Sequence, residues 1–336
     1  VGTNAAFSTT TANHNTVIGD AAFYTNVSGI DNTVMGHVAM YSGTGSSNTA
    51  IGKGAGYHIS TGHDNVAIGK YSMNYSTTGA YNVAIGNYTL DALNAGINGM
   101  VAIGHEALGA NNSGYSNVAI GESSMRHCTS GHVNTAVGYA SMRTLTTGAG
   151  NVAMGEGAAY DLTTGNNNVA VGSDCLGANT TGANNTAVGK SALTANTTGS
   201  QNTAMGSAAL DASTTADNCT AFGFSALGAS NAGSNTAFGS YALASNTTGG
   251  DNTGIGRGAL SDNTTGATNT ALGYNALTSN TTSSNNTAVG HDCLKLNNGG
   301  TKNNAIGAAA LDACTTGERN QAMGYNALGA LTTGIR

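Results

Sequence analysis

A block of apolar and polar positions returns about every 17 residues along the chain, and one clear copy runs from Asn185 to Gln201. Numbered from its first Asn, the block has a small residue at position 3, a large apolar residue at position 4 and Gly at position 5. Position 8 is usually small, position 9 is usually Leu or Met, and position 15 is usually Gly. A fixed short period of this kind predicts a repeat architecture.

The period holds along the whole sequence. Nineteen copies carry Gly at position 5, from Gly19 to Gly324. Gly2 lies one full period before Gly19, so the chain opens inside a twentieth copy. The spacing departs from the period by a single residue at three places, before Gly52, Gly104 and Gly239. We therefore predict one continuous repeat domain over residues 1–336.

Positions 1–5, Asn-Thr-Ala-Val-Gly in the consensus, predict a short β-strand whose side chains alternate between two faces. Position 4 is large and apolar in every copy, so we expect this face to be buried, for example at Ile120, Val188 and Ile306. Position 3 is Ala in 16 of 19 copies, so we expect the opposite face to meet a close neighbour. Gly at position 5 indicates a conformation or a backbone approach that a Cβ would obstruct.

The other positions predict the rest of one coil. Positions 6–11 predict an extended or bent segment with positions 8 and 9 on opposite faces, and Asn-Thr-Thr-Gly at 12–15 predicts an exposed turn. Asn at position 1, in 17 of 19 copies, predicts a row of stacked side-chain amides. We expect an all-β parallel β-solenoid, or β-roll, of about twenty coils, forming a rod of roughly 95 Å at ~4.8 Å per coil.

Composition narrows the possible functions. Charged residues make up 8% of the chain and the net charge is −6. Because no basic stripe appears, we expect no nucleic-acid partner. The chain lacks an apolar run of about 18 residues, the length that a membrane helix needs, so we expect no membrane span. Val1 is not a start Met and lies in the middle of a repeat, so we expect residues 1–336 to be an interior or processed piece of a longer chain.

The five cysteines do not form a disulfide framework. Cys175 and Cys293 share position 8 but lie seven repeats apart, on the order of 34 Å at one coil per ~4.8 Å, which exceeds disulfide reach. We expect buried, inert thiols, with an interchain bridge as the alternative. No catalytic triad or nucleophile motif is present, so we expect no catalytic residue, no metal, no cofactor and no enzyme activity.

Each coil offers only two large apolar side chains, so the core of a single chain is expected to be marginal. The strict smallness of position 3 then predicts a crowded axis shared by several chains. We expect the protein to associate with copies of itself through this alanine face or through an apolar edge.

One candidate binding feature stands out in the first third of the chain. Tyr24, Tyr41 and Tyr57 occupy position 10 of three consecutive coils. They are candidate ligand-binding residues, because a stripe of aromatic rings can dock a sugar or a host surface. The alternative is an aromatic row that stabilises the stack of coils.

The repeat resembles a known family pattern. Asn-Thr-Ala-Val-Gly-x-x-Ala-Leu followed by Asn-Thr-Thr-Gly resembles the repeats of bacteriophage tail-fibre shafts, and it is similar to the head repeats of trimeric autotransporter adhesins such as YadA. The resemblance covers essentially the whole chain. It implies homotrimeric, left-handed parallel β-roll fibres that lie outside the cell and are used for attachment. Such fibres also carry anchor and tip domains, which we expect to flank residues 1–336 and to lie outside them.

The function expected from these observations is that of an extracellular fibre shaft, a phage tail fibre or a related surface adhesin. Its expected partners are copies of itself and a cell-surface glycan or receptor. An ice-binding β-solenoid is an alternative, because Thr recurs at positions 2, 13 and 14, although no Thr-x-Thr strand occurs. A polysaccharide-binding β-helix is another, but a polysaccharide-cleaving enzyme would need clustered carboxylates.

Overall fold

The computed structural model describes residues 1–92, 96–111 and 113–334, and in these residues the only regular elements are nineteen three-residue β-strands. The strands are β1 (Thr16–Ile18), β2 (Thr33–Met35), β3 (Thr49–Ile51), β4 (Val66–Ile68), β5 (Val83–Ile85), β6 (Val101–Ile103), β7 (Val118–Ile120), β8 (Thr135–Val137), β9 (Val152–Met154), β10 (Val169–Val171), β11 (Thr186–Val188), β12 (Thr203–Met205), β13 (Thr220–Phe222), β14 (Thr236–Phe238), β15 (Thr253–Ile255), β16 (Thr270–Leu272), β17 (Thr287–Val289), β18 (Asn304–Ile306) and β19 (Gln321–Met323). Each strand covers positions 2–4 of one repeat. The predicted strand in every copy is therefore confirmed.

The chain divides into two compact units. The first, Val1–Asn167, holds β1–β9, and the second, Asn168–Arg336, holds β10–β19. Within each unit consecutive strands pair in parallel and in register, as where Ala170 of β10 lies beside Ala187 of β11. This stacking of equivalent residues, one repeat apart in sequence, confirms the predicted parallel β-solenoid. The prediction of one continuous domain stays a prediction.

Backbone hydrogen bonds join each strand to its neighbours on both sides. The Thr186 N–H donates to the Asn202 carbonyl at 2.8 Å, and the Gly189 N–H donates to the Val171 carbonyl at 2.8 Å. Gly189 has a φ of +131°, and a Cβ there would lie 2.6 Å from the carbonyl group of Gly206 in the next coil. Both reasons given by the sequence for Gly at position 5 are therefore present: an unusual conformation and a close backbone approach.

The two faces of the strand are the reverse of the prediction. The position-3 residue is buried in β2–β19, whereas position 4, including Ile120, Val188 and Ile306, is half-buried or exposed in every strand. The prediction that position 4 is buried is wrong. A Cβ on Gly254, which occupies position 3, would lie 3.3 Å from Cγ of Leu243 and 3.1 Å from the Ala259 carbonyl oxygen. The crowding at position 3 thus comes from the chain's own core.

The predicted orientation of positions 8 and 9 is also wrong, because both are buried, as at Ala192 and Leu193. Ser191 and Leu193, at positions 7 and 9, have left-handed φ angles of 57° and 52°. The alternation of side chains between two faces holds only for extended backbone, so it does not apply to this bent segment. Leu193 can therefore face the core together with its neighbour Ala192.

The Asn-Thr-Thr-Gly turn is exposed only in part. Asn196 is fully buried and its Nδ2 donates to the Gly199 carbonyl at 3.0 Å, whereas Thr198 is exposed. Thr197 donates its hydroxyl to the Thr214 carbonyl of the next coil at 3.0 Å. The prediction of an exposed turn is therefore correct for position 14 and wrong for positions 12 and 15, because Gly199 is buried and Asn196 folds inward to bond its carbonyl.

The predicted row of stacked asparagines at position 1 is confirmed. The Oδ1 of Asn168 accepts hydrogen bonds from the backbone N–H of Asn185 at 3.0 Å and from its Nδ2 at 3.1 Å. The same Nδ2 donates to the Gly199 carbonyl at 2.9 Å. These side chains are buried, and a buried amide is stable only when its polar atoms are paired. The row therefore ties the strand to the turn and each coil to the next.

Candidate functional site

Large apolar side chains form a row outside the strands of each unit, and we call these position-4 residues the outer row. None of them is buried, and Met154 and Phe238 are 46% and 50% exposed. Where the row carries aromatic residues the side chains stack, since the rings of Phe222 and Phe238 are 4.7 Å apart and nearly parallel. In the first unit the outer row consists of Ile18, Met35, Ile51, Ile68, Ile85, Ile103, Ile120, Val137 and Met154; in the second, of Val171, Val188, Met205, Phe222, Phe238, Ile255, Leu272, Val289, Ile306 and Met323.

Position 2 points to the same side of the strand as the outer row, and together they form what we call the outer face. In the middle of the first unit position 2 is Val, at Val66, Val83, Val101 and Val118. In the second unit it is Thr in seven consecutive coils: Thr186, Thr203, Thr220, Thr236, Thr253, Thr270 and Thr287. No position-2 side chain is buried in the described strands. Exposed rows of large apolar side chains are typical of interaction surfaces on proteins, which makes the outer face a candidate site.

The structure brings the three candidate tyrosines together. Tyr24 and Tyr41 stack at 5.1 Å between ring centroids, and Tyr41 and Tyr57 stack at 5.2 Å. Phe7 extends the stack beyond Tyr24 at 5.2 Å, and it could have been found from the sequence by counting five residues on from Gly2. The rings cover one another's faces, which leaves mainly their edges for a ligand. Ligand binding by these tyrosines stays a prediction, and the stabilising contact between coils is present.

A hollow lies further along the position-10 row of the first unit, and we call it the first hollow. It has a volume of about 350 Å³ and is lined by Asp91, Glu106, Gly109, Arg126 and Tyr88 among others. Asp91, Gly109 and Arg126 all occupy position 10, in three successive coils. Because Gly109 has no side chain, the space between the Asp91 and Arg126 side chains is open. The hollow is thus a gap in a row of side chains.

Opposite charges surround this gap. Arg126 Nε lies 3.0 Å from Glu106 Oε2. Burial raises the pKa of the Asp91 carboxyl, and the nearby Glu106 raises it further. Burial also lowers the pKa of His127, as do the adjacent Arg126 and Arg143 guanidinium groups, which favours the neutral form of this imidazole. The first hollow therefore offers carboxylate acceptors beside guanidinium donors.

A second hollow, of about 410 Å³, lies in the second unit and is lined by Tyr241, Arg257, Gly258, Asp262 and Tyr274 among others. The Arg257 Nη1 donates to the Tyr274 hydroxyl at 3.2 Å, and the guanidinium carbon lies 5.7 Å from the centroid of that ring. Gly258, at position 7, lines the hollow without a side chain, and Asn275 Oδ1 of the next coil lies 2.7 Å from where its Cβ would be. Both hollows thus lie beside positions 7 and 10 of their coils and combine Arg, an acidic residue and Tyr.

The other reactive groups are poorly placed for chemistry. All five cysteines are buried and free, and burial raises the pKa of Cys128 to about 11 and that of Cys175 to about 12. These thiols are protonated at neutral pH and therefore weak nucleophiles. Within the described ranges no three His, Cys, Asp or Glu side chains group as metal ligands. The described residues also contain no helix that is long and apolar enough to cross a bilayer.

Comparison with models of known protein families gives no match. No curated protein matches the sequence either. The candidate surfaces must therefore be judged on their own geometry and chemistry. They are the outer face, the aromatic row at Tyr24, Tyr41 and Tyr57, and the two hollows.

Proposed function

We propose that this chain is a structural segment of an extracellular fibre, in which copies of the chain associate side by side and present their other surfaces for attachment. The observation that carries the proposal is the outer face. It places Ile, Val, Met, Leu and Phe side chains outside a coil whose own interior is already filled by Ala and Leu. Covering such apolar side chains with a partner removes them from water, which is favourable.

The size of the outer face suits a stable protein interface. Each strand contributes two outward residues, which makes 18 in the first unit and 20 in the second. A standard interface uses roughly 20–30 residues from each partner. The face also carries no Asp, Glu, Lys or Arg in any strand. Charged residues are depleted in the same way from the centres of known interfaces.

A second copy of this chain is the partner that fits this surface best. The side chains of the outer row repeat once per coil, so only a partner with the same repeat distance can stay in register over many coils. A copy of the same chain has this repeat by construction. The resemblance to phage fibre shafts and YadA-like heads supports three copies, an extracellular location and a role in attachment. The homotrimer is therefore proposed to close on the outer face and not on the position-3 alanines.

The test compares the mass of two double variants by light scattering. Val188→Glu with Met205→Glu puts two charges into the outer face, and Thr198→Glu with Thr215→Glu puts two charges on the exposed turns of the same coils. We expect the parent and the turn variant to have three times the chain mass, and the outer-face variant to be monomeric. A monomeric parent at micromolar concentration would contradict the proposal, as would a trimeric outer-face variant.

An ice-binding solenoid remains the second candidate because of one observation. The seven position-2 threonines of β11–β17 form a regular outward row in the second unit, next to the apolar outer row. A flat, regular surface of hydroxyl and methyl groups could order water. Thermal hysteresis of the purified protein tests this candidate, and the Thr203→Lys variant should abolish any hysteresis that arises from this row.

A further inference from the structure

We infer that the first and second hollows are binding sites for neutral, hydroxyl-rich saccharides. The inference supplies a ligand class for the attachment role proposed above and rests on that role, but it does not depend on the association of copies. Three observations carry it: the shared location of the two hollows on the coil, the meeting of Arg with carboxyl groups in both, and their size and lining.

The two hollows lie in the same part of the coil and share residue types. Each is lined by side chains from positions 6–7 and 10–11 and includes a Gly, Gly109 at position 10 in one and Gly258 at position 7 in the other. Each also contains an Arg and an acidic residue, although only 8% of the chain is charged. Both hollows therefore bring together side chains that are rare in this chain.

The charges favour a neutral ligand. In the first hollow the Arg126 guanidinium is paired with Glu106, and Asp91 adds one carboxyl. In the second hollow Arg257 faces Asp262 as the only other charged lining residue. An anionic ligand would meet a carboxylate in either place, and a cationic ligand would meet an Arg. A hydroxyl group both donates and accepts hydrogen bonds, so it can pair with both kinds of side chain.

Size and lining also fit a sugar ring. Volumes of about 350 and 410 Å³ lie at the lower end of small-molecule sites, which span about 300–1,000 Å³. Tyr88 lines the first hollow, and Tyr241 and Tyr274 line the second. Tyrosine offers an apolar ring for the C–H face of a pyranose and a hydroxyl for its polar edge. Both sites are open at the surface, so a longer chain could pass through them.

The experiment titrates the full chain with neutral pentasaccharides, namely cellopentaose, maltopentaose, laminaripentaose and fully N-acetylated chitopentaose, and follows binding by saturation-transfer NMR. Penta-galacturonate, which is anionic, and penta-lysine, which is cationic, serve as charged probes. We expect at least one neutral pentasaccharide to bind and both charged probes to be silent. The inference is overturned if no neutral probe binds at millimolar concentration, or if a charged probe binds and the neutral ones do not.

Two substitutions fill the hollows without removing a polar group. A Cβ at Gly109 would have no neighbour closer than 3.4 Å, and Thr194 and Thr278 occupy the same position elsewhere, so Gly109→Thr is tolerated. Gly258 has a φ of +69°, and its counterpart Asn275 adopts 51°, so the backbone suits Gly258→Asn. The new Cβ would lie 2.7 Å from Asn275 Oδ1, so the Asn275 side chain has to turn aside. The double variant should lose about tenfold in affinity for the bound pentasaccharide, equivalent to about 1.4 kcal/mol.

Matched controls lie at equivalent positions outside both hollows. Gly177→Thr alters position 10, and Gly157→Asn alters position 7 at a φ of 61°. Both controls should bind like the parent, and circular dichroism should show all variants folded. If the double variant misfolds, Arg126→Gln with Arg257→Gln makes the same test at the exposed rim, again with a loss of about tenfold expected. Folded filling or rim variants that bind like the parent would place the saccharide elsewhere and overturn the inference.

The saccharide sites and the fibre proposal can be tested separately, because saccharide binding and oligomeric mass are two independent measurements on the same parent sample. A monomeric parent that binds a neutral pentasaccharide contradicts the association and supports the saccharide sites. A trimeric parent that binds none supports the association and overturns the saccharide sites.

Discussion

The inside and the outside of each coil use apolar residues in opposite ways. Inside, position 3 holds Ala in most strands, because the backbone and Leu side chains of the same stack leave room for little more. Outside, position 4 holds Ile, Val, Met, Leu or Phe, because the core of the coil does not enclose these side chains and limit their size. The comparison teaches that small residues can mark the centre of a narrow solenoid and large apolar residues its surface.

The largest loss of stability is expected from a substitution inside the coil, at Leu193. This side chain is fully buried, so Leu193→Ala removes apolar contacts and leaves a cavity. The expected loss of unfolding free energy is about 2–5 kcal/mol for each chain, measured by denaturant unfolding. Met205→Ala, on the outer row, is the comparison. In the isolated chain it should cost no more than about 0.5 kcal/mol.

Protein concentration sharpens this first comparison. The cost of Met205→Ala should grow with concentration if copies cover the outer row, whereas the cost of Leu193→Ala arises within one chain and should not. If the two variants lose the same unfolding free energy at low concentration, Leu193 and Met205 do not differ in burial as the structure shows.

A second effect, of intermediate size, comes from two neighbours in β11. Ala187→Leu enlarges a fully buried side chain and should destabilise the chain by about 1–3 kcal/mol. Val188→Leu makes a smaller increase on the outer row and should stay within about 0.5 kcal/mol. Thermal unfolding of the two variants measures the difference. If Val188→Leu lowers the melting temperature more than Ala187→Leu does, position 4 and not position 3 faces the core.

The smallest effect on stability is expected from a substitution of Asp211, a half-buried residue at position 10. Burial raises the pKa of this carboxyl above its ordinary value of 3.8, so the folded chain holds the proton more tightly than the unfolded chain. Its contribution to stability is present at low pH and is lost as pH rises through the folded pKa. Asp211→Asn should therefore match the parent near pH 3 and melt slightly higher at pH 7.

Melting curves of the parent and of Asp211→Asn from pH 3 to pH 7 provide the measurement. The control is Asp251→Asn, because Asp251 is exposed. If the melting temperature of the parent rises relative to that of Asp211→Asn as pH rises, burial does not raise the pKa of Asp211 as stated.

The fold could be predicted from the sequence because the repeat fixes it at every coil. The position-5 glycines and the position-1 asparagines each have one structural requirement, a close backbone approach at Gly189 and a hydrogen-bonded row at Asn185. The direction of the faces could not be predicted in this way. Alternation separates Ala187 from Val188 but does not say which one points inward, and the usual preference for large apolar residues in a core gives the wrong answer here.

The surface was predicted less completely than the fold. The aromatic row at Tyr24, Tyr41 and Tyr57 followed from counting, because identical side chains at one position must stack. The hollows did not, since they depend on what is missing at Gly109 and Gly258 and on which charged residues sit in adjacent coils. The left-handed φ of Leu193 also had no sequence signal, because Leu rarely adopts it.

The in-register pairing of equivalent residues has a consequence for how such a chain can change in length. Ala187 lies beside Ala204 in β11 and β12, and the same residue types meet at most other junctions. Unequal recombination between two repeats of the gene would remove or add a whole coil and join surfaces that already fit, because each repeat contacts only its neighbours. The stack of coils within a unit can therefore lengthen or shorten in steps of about 4.8 Å without a new core.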